Sequence, residues 1–209
     1  MPVGKLVCAS NSNNVLTEFF ASGTYDANRE FFKTISPSMD ILISSNLERF
    51  LFAMTGNDGD KVALWMDQLK NEGIFIVDAD TKANIDKFIV GGAADEVETL
   101  SMIAACYDES KYVLDTHTAV AVKVSREYRE ASGTANIAVI DSTAHPCKFV
   151  SSVLSAFDGV DKKESELEML EQLVSLTGIS QHKGLQDLDK KPVLNTTVWE
   201  KDEISAAVQ

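Results

Sequence analysis

Apolar positions recur along this chain with two spacings, and the alternation between them predicts strand and helix in turn. Lys5–Ala9 reads as a strand and Asn14–Ser22 as a short helix closed by Gly23. Thr24–Ser38 is polar with scattered aromatics (Tyr25, Phe31, Phe32) and reads as an excursion over the surface. Asp40–Ser44 is a second strand candidate. Ser45-Asn-Leu-Glu48 has the Ser-x-x-Glu form of a capping box, opening a helix with Leu47, Phe50, Leu51 and Met54 on one face and Gly56 at its close. Asp60–Glu72 carries Val62, Trp65, Met66 and Leu69 on a single face and stops at Gly73. Ile74–Val77 reads as a strand, Thr81–Phe88 as a short helix and Gly91-Gly92 as a flexible joint.

Asp95–Tyr107 is a longer helix, Val113–Leu114 the core of a brief strand, and His117–Glu130 a further helix. Asn136–Ile140 reads as a buried strand. It runs through Asp141-Ser-Thr-Ala-His145 into a helix over Pro146–Phe157, with Phe149, Val153 and Phe157 on one side. The tail from Asp161 holds one amphipathic helix (Leu167, Leu170, Leu173, Val174) and then irregular structure ending near Trp199. The alternation predicts the α/β class: a mostly parallel sheet with helices on both faces. Thr55–Ala94 is richer in short elements and reads as a lobe inserted between sheet strands.

Composition changes this picture little. The 209 residues are 44% hydrophobic and 24% charged, which argues for a packed core and against disorder. Charge excludes more: 32 Asp and Glu stand against 19 Lys and Arg, a net −13 that disfavours nucleic acid and anionic membrane surfaces as partners. No apolar run approaches a membrane span, and the three cysteines are too few and too dispersed for a disulfide framework, so a cytoplasmic setting is expected. Met1-Pro-Val-Gly leads at once into Lys5–Ala9, as though the chain began inside a larger domain.

Candidate chemistry centres on the strand-to-helix turn Asp141–Phe149. Open α/β sheets bind ligands at the carboxyl ends of their strands, which is where this turn falls. Asp141, Ser142 and His145 supply the residue types of a triad, but near neighbours in sequence rarely meet its geometry. His145 and Cys147, with Cys8 or Cys106, match no usual zinc spacing. For Ser142 and Thr143 two readings stand: N-caps before Pro146, or neutral hydroxyls that meet a heteroaromatic ring nitrogen without forcing its protonation. Asn46 and Arg49 lie on the first turn of their helix, where Arg49 has the fork to grip a carboxylate or phosphate. His117 and Thr118 follow Val113–Leu114 as Thr143 follows its own strand. The two turns converge if the strands are neighbours.

The strings KLVCASNSNNVLTEFF, SPSMDILISSNLERF, DTHTAVA and DSTAHPCKF, together with the tail segment KPVLNTTVWEKDEI, closely resemble the C-terminal portion of the threonine synthase family. Those are pyridoxal-phosphate (PLP) enzymes of the tryptophan-synthase-like fold type. The resemblance implies a partial PLP domain: residues 1–54 and 95–160 supplying its strands and helices, 55–94 a small lobe, and 161–209 a C-terminal helix and tail. It implies a parent lyase that eliminates phosphate from O-phosphohomoserine and adds water to give threonine. By the same resemblance Thr143 meets the pyridine nitrogen with Ser142 beside it, while Asn46, Arg49 and His117 belong to the substrate or cofactor surroundings.

The family's Schiff-base lysine and its Gly-Asn-Phe-Gly phosphate cradle have no counterpart here, and Lys111, Lys123 and Lys148 read as surface charges. The resemblance therefore implies no catalytic residue in this sequence and no turnover by it alone. PLP belongs to the complete enzyme, and the N-terminal half of that enzyme is the expected partner. The rival expectation is a non-catalytic binding module that self-associates through an unpaired sheet edge.

Overall fold

A computed structural model describes residues 3–160, 165–194 and 196–207. Met1, the expected tail start at Asp161, and Asn195 within the KPVLNTTVWEKDEI string lie outside the described residues. The elements in order are β1 (Leu6–Ser10), α1 (Val15–Ser22), β2 (Thr24–Asp26), α2 (Leu47–Met54), α3 (Gly59–Glu72), β3 (Ile74–Ile76), α4 (Ala79–Phe88), β4 (Ile89–Ala93), α5 (Glu96–Ser110), α6 (Thr116–Ser132), α7 (Val150–Leu154), α8 (Glu166–Thr177) and α9 (Ile204–Ala207).

β1 and β4 pair in parallel, Leu6 opposite Ile89 through Ser10 opposite Ala93. β2 and β3 form a separate antiparallel pair. The α/β class holds, with helices on both faces of the parallel pair. Gly91 and Gly92 show this directly. A Cβ on Gly91 would lie 2.7 Å from the Thr17 backbone of α1, and one on Gly92 would lie 2.5 Å from a Val124 methyl of α6. Successive strand residues face opposite ways, so α1 and α6 close on the two faces. The pair is a tightly packed strand interior and not the flexible joint expected.

Two hydrophobic cores result. One gathers Val15, Phe19, Leu51, Trp65, Phe75 and Ile85 with their neighbours; the other gathers Ile103, Leu114, Cys147, Val153, Leu170 and Leu173. α3 shows how the sequence builds the first. Its face Val62, Trp65 and Leu69 is buried, the Asp58 carboxylate caps its start, and Gly73 ends it at φ 75°, a left-handed conformation favouring glycine. Tyr25 of β2 is fully buried and stacks on Phe75, so the Thr24–Ser38 excursion begins as core.

Three expected strands are absent for the same reason. Asp40–Ser44 is irregular, because its backbone is held by a side chain instead of a ladder: the Tyr25 hydroxyl donates to Leu42 O and accepts from Ser44 N–H, both at 2.9 Å. Val113–Leu114 is buried but unpaired. Asn136–Ile140 is neither a strand nor buried, with Ile137 92% and Val139 82% exposed. An apolar run becomes a strand only when a neighbour takes its backbone hydrogen bonds, and none among the described residues does so here.

The Ser45–Glu48 box also fails. Asn46 is the residue before α2 and already has helical ψ (−8°), so no extended cap forms. The reciprocal box forms instead at α5, where Asp95 and Glu98 exchange side-chain and backbone bonds at 2.8 and 2.9 Å. The helix expected over Pro146–Phe157 divides into a 3-10 turn, Pro146–Phe149, and α7. No helix among the described residues is long and apolar enough to cross a membrane.

Beyond the carboxyl end of β1, the chain is fixed by a buried polar network. Asp40 Oδ1 accepts from Asn11 Nδ2 (2.8 Å), Asn13 Nδ2 (3.0 Å) and the Thr34 hydroxyl (2.7 Å), and Asp40 Oδ2 accepts from Thr34 N–H (2.9 Å). Buried donors that lose their acceptor keep the desolvation penalty. Asp40→Ala is expected to lower unfolding free energy by about 2 kcal/mol, read as a lower urea midpoint at unchanged slope. An unshifted midpoint would show that the network is not tying the segment down.

Candidate cofactor-ring site

The Ser142–His145 turn lines a groove of about 500 Å³, with Tyr112, Val113, Pro146, Ile179 and His182 as its other walls. Ser142 and Thr143 are exposed in it, and among the described residues no partner takes the Thr143 hydroxyl. His145 Nδ1 accepts the Cys147 N–H at 3.2 Å and so caps the Pro146–Phe149 turn. That nitrogen is the one a triad base would offer to its orienting carboxylate, and the triad reading fails on it. His182 does the same for Gly184 N–H at 3.1 Å, and the two rings lie 5.5 Å apart. Burial and the neighbouring His182 hold the His145 imidazole below its ordinary range, while Asp115 opposes them.

Beneath the turn lies the amino end of α6. Asp115 is 1% exposed and caps that helix, accepting from His117 N–H (2.9 Å), Thr118 N–H (3.3 Å), the Thr118 hydroxyl and the His117 ring at Nδ1 (3.2 Å). Burial pushes this carboxyl up, and the bonds from His117 and Thr118 outweigh it, leaving Asp115 below the usual carboxylate range. Thr118 Oγ1 in turn lies 3.2 Å from Ser142 Oγ. The two hydroxyl-bearing turns therefore do converge, although neither follows a strand.

His117 is buried, and both of its ring nitrogens have protein partners. Nδ1 faces Asp115, and Nε2 accepts the Ser38 N–H at 3.2 Å, which ties α6 to the 3-10 turn Pro37–Met39. Asn46 and Arg49 are exposed on α2, bonded to each other through Arg49 Nη2 and Asn46 Oδ1. α2 packs into the first core through Leu47 and Leu51, whereas the chain just after Ser142 and Thr143 packs into the second through Cys147. Lys123 is not the surface charge expected. It is 12% exposed and bonds Glu98 and Glu127 at 2.9 Å each and the Ala93 carbonyl at 3.2 Å. Lys111 and Lys148 are exposed, each lying over an aromatic ring.

Residues 118–192 match the family model for the C-terminal region of threonine synthase. Threonine synthase from Saccharomyces cerevisiae is 35% identical over 192 residues, which covers 85% of this chain and 37% of that protein. This chain is homologous to the C-terminal part of threonine synthases. Human threonine synthase-like 1 is 34% identical over 193 residues, covering 91% of this chain and 26% of its own length. The crystal structure of PLP-bound threonine synthase from Brucella melitensis superposes with a TM-score of 0.70 at 34% identity, over 81% of this chain and 36% of that one. The chain thus spans between about a fifth and two fifths of the relatives it matches.

The donor set of the groove fits one edge of a pyridine ring. Apolar Val113, Pro146 and Ile179 suit its faces, and the unpaired Thr143 hydroxyl suits its nitrogen. The meeting of the Thr118 and Ser142 turns was expected from the sequence, but the buried Asp115 carboxylate that holds Thr118 was not singled out there.

Proposed function

We propose that this chain provides one wall of the PLP site of a threonine-synthase-type lyase, converting O-phosphohomoserine and water to threonine and phosphate. The observation that carries the reading is that Ser142 and Thr143 open side by side onto a groove walled by Val113, Pro146 and Ile179 together with His145 and His182, with the buried Thr118 beneath Ser142. Thr143 donates its hydroxyl proton to the ring nitrogen, a neutral bond that leaves the nitrogen unprotonated. Ser142 lies beside it. Asn46, Arg49 and His117 belong to the substrate or cofactor surroundings. PLP, when bound, supplies the electron sink. The Schiff-base lysine, which carries the proton, is brought by the N-terminal portion of the enzyme, and no residue of these 209 substitutes for it.

The chain mixed with the N-terminal part of the yeast relative is expected to release phosphate from O-phosphohomoserine in the presence of PLP, and the 209 residues alone are not. Turnover by the 209 residues alone, or none in a folded mixture, would overturn this reading. A second reading, self-association, rests on the exposed apolar run at Ile137 and Val139. Light scattering that shows a monomer at high concentration removes it.

A further inference from the structure

His145 and His182 line the groove from two separate turns, seated in the second core by Cys147 and by Ile179 and Leu185. Each ring spends Nδ1 as an acceptor, His145 on the Cys147 N–H and His182 on the Gly184 N–H. A backbone N–H only donates, so both neutral imidazoles carry their proton on Nε2. Burial and the neighbouring ring favour the neutral form of His145. Among the described residues no protein group takes either Nε2. With ring centres 5.5 Å apart, two N–H donors of fixed tautomer stand together in the groove that holds Thr143. Neither Lys nor Arg is among its described walls.

We propose that His145 and His182 form a paired-donor subsite for an oxyanion, a carboxylate or phosphate group held by the two Nε2–H groups. The tautomer excludes the commoner use of a histidine pair. With Nδ1 spent and Nε2 protonated, neither neutral ring keeps a lone pair for a metal ion. The net charge of −13 gives anions no general attraction, so binding has to come from these local donors. The subsite goes beyond the cofactor reading: there Thr143 serves an uncharged ring nitrogen, whereas the histidines serve a charged group in the same groove.

The test is long-range 1H–15N NMR of the 209-residue chain labelled at histidine, at about pH 7.5, above the ordinary histidine range. Inorganic phosphate and sodium acetate are added in separate titrations at constant ionic strength. Before addition, His145 and His182 are expected to show the Nε2–H tautomer. One or both anions then move the two Nε2 signals along a single saturable curve, and which anion does so tells a phosphate site from a carboxylate site. His117, with both ring nitrogens on protein partners, is the internal control and stays still. His182→Asn keeps a carbonyl oxygen for the cap and removes the Nε2 donor. It is expected to weaken binding read at His145 about tenfold, the worth of one hydrogen bond to a charged group. His145→Asn, read at His182, should do the same, and His182→Asn alone carries the test if the other variant does not fold. An Nδ1-protonated ring at either position, no saturable shift with either anion, movement of one ring alone or of all three, or undiminished affinity in folded His182→Asn overturns the proposal. No PLP is present, so failure here leaves the Thr143 reading to the phosphate-release assay.

Discussion

Gly91→Ala is expected to lower the stability of the chain by about 3 kcal/mol, at the upper end for overpacking. Gly91 does not have positive φ, so its backbone conformation suits alanine. On conformational entropy alone the change would stabilise by about 0.4–1 kcal/mol. Space decides the sign. The new Cβ would meet the Thr17 backbone at 2.7 Å, a helix main chain that is itself held by the bond from Thr17 Oγ1 to Gly92 O at 2.8 Å. α1 must move away from β4, and it carries the fully buried Phe19 and Val15 with it. Gly92→Ala meets only a Val124 methyl, so Gly92→Ala combined with Val124→Ala is expected to recover part of its own loss, while nothing short of moving α1 relieves Gly91→Ala. Urea denaturation measures both. A Gly91→Ala midpoint equal to wild type would mean that α1 is not seated on the sheet.

The contrast between Gly91 and the helices shows what the sequence made legible. α3, α5, α6 and α8 announce themselves because a helix closes its own hydrogen bonds, and its apolar face can be read from one segment. Strands need a partner that the segment does not contain. Asn136–Ile140 has the composition of a buried strand and lies exposed, while the three residues of β2 escaped notice because Tyr25 is the only strongly apolar member. The site divides in the same way. The Ser142–Thr143 turn was visible as a hydroxyl pair before Pro146. Its meeting with the Thr118 turn was expected too, but the buried Asp115 that anchors Thr118 was not, since that burial depends on the fold. The network of Asn11, Asn13, Thr34 and Asp40 left a faint signal in its run of turn-forming Asn and Ser, but its closure through Asp40 depends on the fold.

Asp115→Asn is expected to cost about 2–3 kcal/mol at neutral pH, because one change weakens the α6 cap and leaves buried donors of His117 and Thr118 without a charged acceptor. An asparagine keeps one carbonyl oxygen for the cap but turns an NH2 towards groups that are themselves donors. The pH dependence separates charge from shape. The folded carboxyl titrates below its unfolded value, so its contribution is fully present above about pH 4 and is lost as pH falls through the folded value. The gap between wild type and Asp115→Asn should therefore stay constant from pH 7 to 5 and narrow below about pH 4, as the wild-type carboxyl takes up the proton that makes it resemble the amide. Urea midpoints at several pH values provide the comparison. A gap that persists undiminished through the acid range would mean that Asp115 is held by packing and not by its charge.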